Sequence, residues 1–256
     1  MDITQTFYDA LAPQYDKLFS DWQAATREQA DILDRLFRRC GFDRGARILD
    51  CACGIGTQAI GLAELGYRVS ASDLSEGALA EARRRAEDRG VPIRFARADF
   101  RALAEAFPEP FDIVIAMDNA LPHMPTAQDL GAAVGSIAGR LRPGGLFVAS
   151  IRDYDSLLAH KPPYSPPYIH ETDRGRRVCF QTWAWKGDSY RLVQYIIDDE
   201  GALQISKYEC EYRAVRRQEL TDLLRAAGCG DVRWLAPEQT GFYQPIVTAS
   251  AGMILP

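Results

Sequence analysis

Two acids flank a glycine turn in a pattern that can hold a nucleoside. Asp50 follows the apolar pair Ile48-Leu49, the turn Gly54-Ile55-Gly56 comes next, and Asp73 stands about 20 residues beyond it. Glycines let the backbone approach a ligand closely and adopt turn geometry. An acid at that distance is placed to accept hydrogen bonds from ribose hydroxyls. Gly54-x-Gly56-x-x-Ala59 also satisfies the loose dinucleotide pattern, so these residues alone leave open a dinucleotide or another nucleoside cofactor. Further along stand Asp99-Phe100, Met117-Asp118-Asn119 and Arg152, each at the end of an apolar run. An arginine matches a carboxylate with two parallel hydrogen bonds. His123 reads as a structural hydrogen-bonder rather than a base.

These residues need elements to position them. Residues 22–39 carry Ile32, Leu33, Leu36 and Phe37 at helical spacing and stop at Gly41. Strands are expected at 46–50, 67–73, 93–99, 111–118 and 146–151, alternating with helices from Thr57 to Leu65 and from a Ser75 cap to Arg89. A further helix shows Leu130, Val134, Ile137 and Leu141 on one face and ends at Pro143-Gly144-Gly145. This alternation implies an α/β, doubly wound, mostly parallel sheet, with ligands bound beyond the carboxyl ends of its strands. After Arg152 come a proline-rich loop at 161–167 and segments around Lys186-Gly187-Asp188 that read as antiparallel strands, then a helix with Leu220, Leu223 and Leu224 and a last strand from Ile246. We expect one domain over 1–256: an N-terminal lid or helix (1–40), a cofactor-binding core (41–152), an antiparallel elaboration (153–215) and a closing helix and strand (216–256).

Composition narrows the function. Thirty basic side chains against 35 acidic ones give a net charge of −5, which argues against a nucleic-acid surface. Arg83-Arg84-Arg85 point different ways on a helix and read as a solvated face. No apolar run approaches a membrane span. The N-terminus has no basic start or apolar run of a secretory signal, and six cysteines without zinc-knuckle spacing suit a reduced compartment, so a cytoplasmic protein is expected, with Cys51 and Cys53 as small core thiols and no metal site.

The run Ile48-Leu49-Asp50-Cys51-Ala52-Cys53-Gly54-Ile55-Gly56-Thr57 resembles motif I of class I S-adenosylmethionine (SAM) dependent methyltransferases, and Leu141-Arg142-Pro143-Gly144-Gly145-Leu146 is similar to their approach to strand 5. With Asp73, Asp99-Phe100 and Phe111-Asp112 in order, the likeness spans about residues 5 to 152, and it implies a seven-stranded Rossmann-like sheet, SAM as cofactor and S-adenosylhomocysteine (SAH) as product. A narrower resemblance, to the glycine N-methyltransferase and glycine/sarcosine methyltransferase group, rests on Pro13-Gln14-Tyr15, Trp22, Asn119-Ala120-Leu121-Pro122-His123 and Ile151-Arg152-Asp153-Tyr154-Asp155.

That resemblance implies a small-molecule substrate, an amine bearing a carboxylate. Asn119 and Arg152 would hold its amine and carboxylate, with Tyr168, Tyr195 and Tyr212 as pocket tyrosines. Tyr15, Trp22 and Arg27 would supply the lid and cofactor-carboxylate contacts, beside Asp50, Gly54, Gly56, Asp73, Asp99, Phe100 and Met117. Packing alternatives stand beside several of these: Tyr15 and Trp22 as anchors of the first helix, Tyr195 and Tyr212 as strand packing, Arg152 as a surface ion pair. Asp118 departs from the glycine enzymes, which tend to have a small residue there; a carboxylate at that point repels an acceptor's carboxylate or attracts a second amine. The competing functions are methylation of a larger specialised metabolite on N or O, a non-catalytic SAM or SAH binder, and a dehydrogenase. The sequence leaves the oligomeric state open.

Overall fold

The computed structural model describes residues 3–173 and 175–252. Helix α1 (Ile3–Leu11) runs into a 3-10 helix (Ala12–Leu18), and α2 (Trp22–Arg39) follows, capped by the Asp21 carboxylate. Then strands and helices alternate: β1 (Arg47–Asp50), α3 (Thr57–Glu64), β2 (Arg68–Asp73), α4 (Glu76–Asp88), β3 (Arg94–Arg97), the short α5 (Leu103–Ala106), β4 (Phe111–Ala116), α6 (Ala127–Ala138) and β5 (Leu141–Ser150). The chain leaves this sheet through α7 (Tyr154–His160) and forms β6 (Tyr168–Thr172), β7 (Gly175–Lys186), β8 (Ser189–Asp199) and β9 (Leu203–Arg213). It returns through α8 (Arg217–Ala226), β10 (Cys229–Leu235), the short α9 (Pro237–Thr240) and β11 (Ile246–Ala251).

The first sheet has seven strands in the order β10-β11-β5-β4-β1-β2-β3; β1 to β5 pair in parallel, while β11 is antiparallel to β5 and β10. Strand order reverses between β1 and β4, which opens the crevice where ligands bind in such folds. Strand alternation sorts the core into two layers. Ile48, Ile113, Ile115 and Val148 pack with Leu33 and Phe37 of α2, whereas Leu49, Val114, Phe147 and Ala149 pack with Leu130, Val134 and Ile137 of α6. The second sheet, β6-β7-β8-β9, is antiparallel and buries Leu192, Ile196 and Tyr212 in the same cluster as Phe7 and Leu11 of α1. This is the expected doubly wound, mostly parallel seven-stranded Rossmann-like sheet with an antiparallel elaboration. Among the described residues no helix is long and apolar enough to cross a membrane.

Several elements differ from the sequence reading. Leu141 begins β5 rather than closing α6, because Phe111 pairs with Leu141 and Ile113 with Leu146, leaving Arg142–Gly145 as an irregular stretch that tolerates proline. Strand β10 is an edge strand, mostly half-buried or exposed, where no strand was expected. Arg83 and Arg84 pair with surface acids, but Arg85 is only 13% exposed and lies over the Trp22 ring at 4.5 Å. The proline-rich loop is pinned along β7: the Trp183 N–H donates to Pro163 O at 2.7 Å and Trp185 Nε1 to Pro162 O at 2.9 Å.

Candidate active site

The turn after β1 is built by its glycines. Gly54 (φ 53°) and Gly56 (φ 91°) adopt left-handed conformations that L side chains resist, and Gly56 then opens α3. A methyl group on Gly54 would meet no protein atom within 4 Å, so the turn presents bare backbone. Asp73, at the end of β2, ties the turn down: Gly54 N–H donates to Oδ2 at 2.8 Å and Ser75 N–H to Oδ1 at 2.9 Å. Asp50 is wholly buried; Oδ1 accepts from Ala52 N–H, and Oδ2 has no hydrogen-bond partner among the described residues. Burial pushes the Asp50 carboxyl up to about 8, opposed by the Ala52 N–H and reinforced by Asp73 and Asp118. Burial likewise raises Asp73 and Asp118 above the usual carboxylate range.

A cavity of about 390 Å³ opens above this turn. Gly54, Asp73, Asp99, Phe100 and Met117 line it, as do Tyr15 and Tyr212. Asp99 is not free, since the Arg101 guanidinium grips both its carboxylate oxygens and bridges on to Asp129. Asp50, Gly56, Asn119 and Arg152 stand behind the lining. Asn119 Oδ1 accepts from the Arg152 backbone N–H and its Nδ2 donates to the Tyr154 hydroxyl, so both ends of this side chain serve the fold. The half-buried Arg152 guanidinium donates to Tyr190 Oη at 2.6 Å and Gln181 Oε1 at 2.9 Å, over the rings of Trp183 and Tyr212. Burial opposes its charge, but the phenol oxygens of Tyr190, Tyr154 and Tyr212 outweigh that and hold the guanidinium firmly protonated.

Besides Asp50, Gly56, Asn119 and Arg152, four further expected residues do not line the cavity. Tyr168 lies 63% exposed on edge strand β6, and Tyr195 stacks on Phe180 on the face of β8 opposite Tyr190. Trp22 is buried, donates to Thr57 Oγ1 at 3.0 Å and fastens α2 to α3, while Arg27 is exposed on α2. The structure brings in others instead. Ile3, Thr4, Gln5 and Tyr8 of α1 form one wall, held because the Asp9 carboxylate accepts from Ser75 Oγ at 2.6 Å and Gly77 N at 3.0 Å at the start of α4. Tyr8 Oη lies 2.9 Å from His123 Nε2 and 3.4 Å from Tyr212 Oη, closing another wall. Gln58, Asp118, Arg101 and Arg213 also line the cavity. Strand parity was the available signal for the tyrosines: Tyr190 and Tyr195 face opposite ways, and only Tyr190 is cross-strand to Tyr212.

The description "methyltransferase domain" matches residues 48–145, the stretch that carries β1 to the start of β5. Residues 48–145 thus carry the methyltransferase-domain pattern. The glycine/sarcosine N-methyltransferase of Parasynechococcus marenigrum is 32% identical over 155 residues, covering 60% of this chain and 53% of that protein. A ubiquinone biosynthesis O-methyltransferase of Photorhabdus laumondii is 29% identical over 145 residues, covering 56% of this chain and 59% of that protein. The chain thus spans somewhat more than half the length of these relatives. In fold, the chain superposes on a SAM-dependent methyltransferase from Clostridium acetobutylicum with a TM-score of 0.75 at 19% identity, covering 96% of this chain and 99% of that one. SAM is the cofactor of such a domain. The residues here fit it: the bare turn at Gly54, the acid Asp73 and the open acceptor of Asp50 suit a nucleoside carrying positive charge.

Proposed function

We propose that this protein transfers a methyl group from SAM to the nitrogen of a small amine that carries a carboxylate, of the glycine, sarcosine or dimethylglycine kind. The observation that carries this reading is Arg152, whose guanidinium is fixed by Tyr190 and Gln181 between two aromatic rings, within electrostatic reach of the cavity residue Tyr15. Likeness to a glycine/sarcosine enzyme supports it. Bound SAM supplies a methyl group on a cationic sulfur, a centre open to in-line attack by a nitrogen lone pair. The residues then have three tasks. Asp73 and the Gly54 turn orient the nucleoside. Asn119, through the Arg152 backbone, fixes where the acceptor's carboxylate is met. Tyr8, His123 and Tyr212 close the cavity and hold the acceptor in line, and such positioning supplies most of the rate in a displacement of this kind.

Arg152→Lys tests this with glycine and sarcosine as acceptors, followed by mass spectrometry of the products. The acceptor KM should rise by about ten-fold or more while SAM affinity by calorimetry stays level, because lysine cannot offer the paired donors. Parallel loss of both would sink the assignment. A second reading, methylation of a larger metabolite on N or O, is favoured by the position of Arg152 behind the lining and by the O-methyltransferase relative. A rate indifferent to the acceptor's carboxylate would select it.

A further inference from the structure

One carboxylate at this site is left unused by the reading above. Asp118 and Asn119 are consecutive left-handed residues, with φ of 56° and 67°, at the carboxyl end of β4. Most L residues resist this conformation and Asp and Asn tolerate it best, so two in a row need holding in place. Here Ser150 of β5 holds them: its hydroxyl accepts from Asp118 N–H at 2.8 Å and its carbonyl from Asn119 N–H at 3.0 Å. The bend sends the Asp118 side chain to the cavity lining. Its two partners there are neutral donors, Gln58 Nε2 on Oδ2 and Tyr243 Oη on Oδ1, both at 2.8 Å.

A carboxylate satisfied only by neutral donors still favours a cation or a proton. The groups that face it do not supply one at contact. Asp50 from β1 is a second acid, Tyr15 from the 3-10 helix and Tyr243 ahead of β11 are phenols, and Arg152 beyond β5 is already bonded to Tyr190 and Gln181. Burial raises the Asp118 carboxyl above its ordinary range, while Gln58 and Tyr243 pull it back. An amine reaches a methyl donor as an ammonium at neutral pH and must lose a proton before it can attack. We propose that Asp118 receives the acceptor's ammonium and takes its proton, serving as the base of the methyl transfer.

The inference rests on the amine-acceptor reading. In the step, the ammonium N–H gives its proton to an Asp118 oxygen, turning carboxylate into carboxylic acid. The freed lone pair forms the N–CH3 bond as the S–CH3 bond breaks, sulfur leaves as a neutral thioether, and the positive charge passes to nitrogen.

The test uses the full chain saturated with SAH, so that binding is read without turnover. Calorimetric titration of glycine and sarcosine should show Asp118→Asn weakening the amines by about ten-fold or more with SAH affinity unchanged. In turnover, the wild type should show a kcat/KM that rises with pH as Asp118 ionises, and Asp118→Asn should lose that limb together with most of kcat. Tyr243→Phe removes a donor that favours the carboxylate, so it should shift the limb to higher pH; this surface variant carries the test if Asp118→Asn does not fold. Equal loss of SAH and amine affinity in Asp118→Asn would overturn the proposal and assign Asp118 to the cofactor's own ammonium. An unchanged limb in Asp118→Asn or Tyr243→Phe would overturn it as well. Wild-type protein that binds SAH but neither amine would remove the acceptor reading and this inference together, whereas amine binding indifferent to Asp118 removes the inference alone.

Discussion

Asn119 Oδ1 accepts the backbone N–H of Arg152 at 3.0 Å, so the loop after β4 fixes the residue that follows β5. The opposite end of the same amide donates to the Tyr154 hydroxyl at 2.9 Å, and Tyr154 and Tyr190 hydroxyls lie 3.0 Å apart. One buried asparagine therefore ties two strand exits to the antiparallel sheet.

Asn119→Ala should consequently act on stability first. It leaves the Arg152 N–H and the buried Tyr154 hydroxyl short of a partner and puts alanine in a left-handed conformation, so the loss should be about 2 kcal/mol or more. Urea unfolding checks this, and a loss under about 0.5 kcal/mol would show that the network does not hold Arg152 in place.

Asp50 predicts a proton linkage. Its carboxyl titrates at about 8 in the fold, well above the ordinary carboxylate range of an unfolded chain. The folded state therefore binds the extra proton between those limits, and the contribution to stability is full at low pH and lost as pH rises through about 8. A positively charged cofactor favours the ionised form, so SAM should bind more tightly as pH rises across the same window, with release of a proton. Calorimetry in buffers of different ionisation enthalpy reads that release, and Asp50→Asn should abolish it. Equal proton release in the variant would assign the linkage elsewhere.

The tyrosines separate by strand face. Tyr168→Phe and Tyr195→Phe should leave acceptor KM within about two-fold, since neither ring reaches the cavity. Tyr212→Phe, which removes a hydroxyl 3.4 Å from Tyr8 Oη, should raise acceptor KM more than either. Steady-state kinetics with sarcosine decides; a larger effect at Tyr195 than at Tyr212 would place the acceptor on the opposite face of β8.

The parallel half of the fold was legible because its signals are local. Buried strands such as Ile113-Val114-Ile115-Ala116 read as apolar runs, Ser75 announces α4, whose first turn its hydroxyl caps, and Gly54 and Gly56 mark a turn that needs left-handed backbone. Asp73 followed from its distance to that turn. What was hidden depends on contacts far apart in the chain. Tyr8 matters because Asp9 docks α1 on Ser75 and Gly77, a join that no periodicity in Ile3–Leu11 reveals. Gln58 matters because it spans from Gln29 to Asp118. Trp22 and Arg27 came from likeness to a family rather than from their own surroundings, and the packing alternative describes Trp22: its indole joins two helix starts.

The placement of the indoles gives the molecule an optical signature. Of its four tryptophans, Trp22, Trp183 and Trp234 each lie under a guanidinium, those of Arg85, Arg152 and Arg217. Trp22 bonds Thr57 of the cavity lining and Trp234 bonds Thr221, which is not part of it, whereas Trp183 shares its arginine with Tyr212, a cavity wall. An anion arriving at Arg152 changes the field over Trp183 and its neighbour Trp185, a nucleoside arriving at the β1 turn changes the surroundings of Trp22 through Thr57, and Trp234 stays as background, so the protein's own emission follows occupation of the cavity without any label.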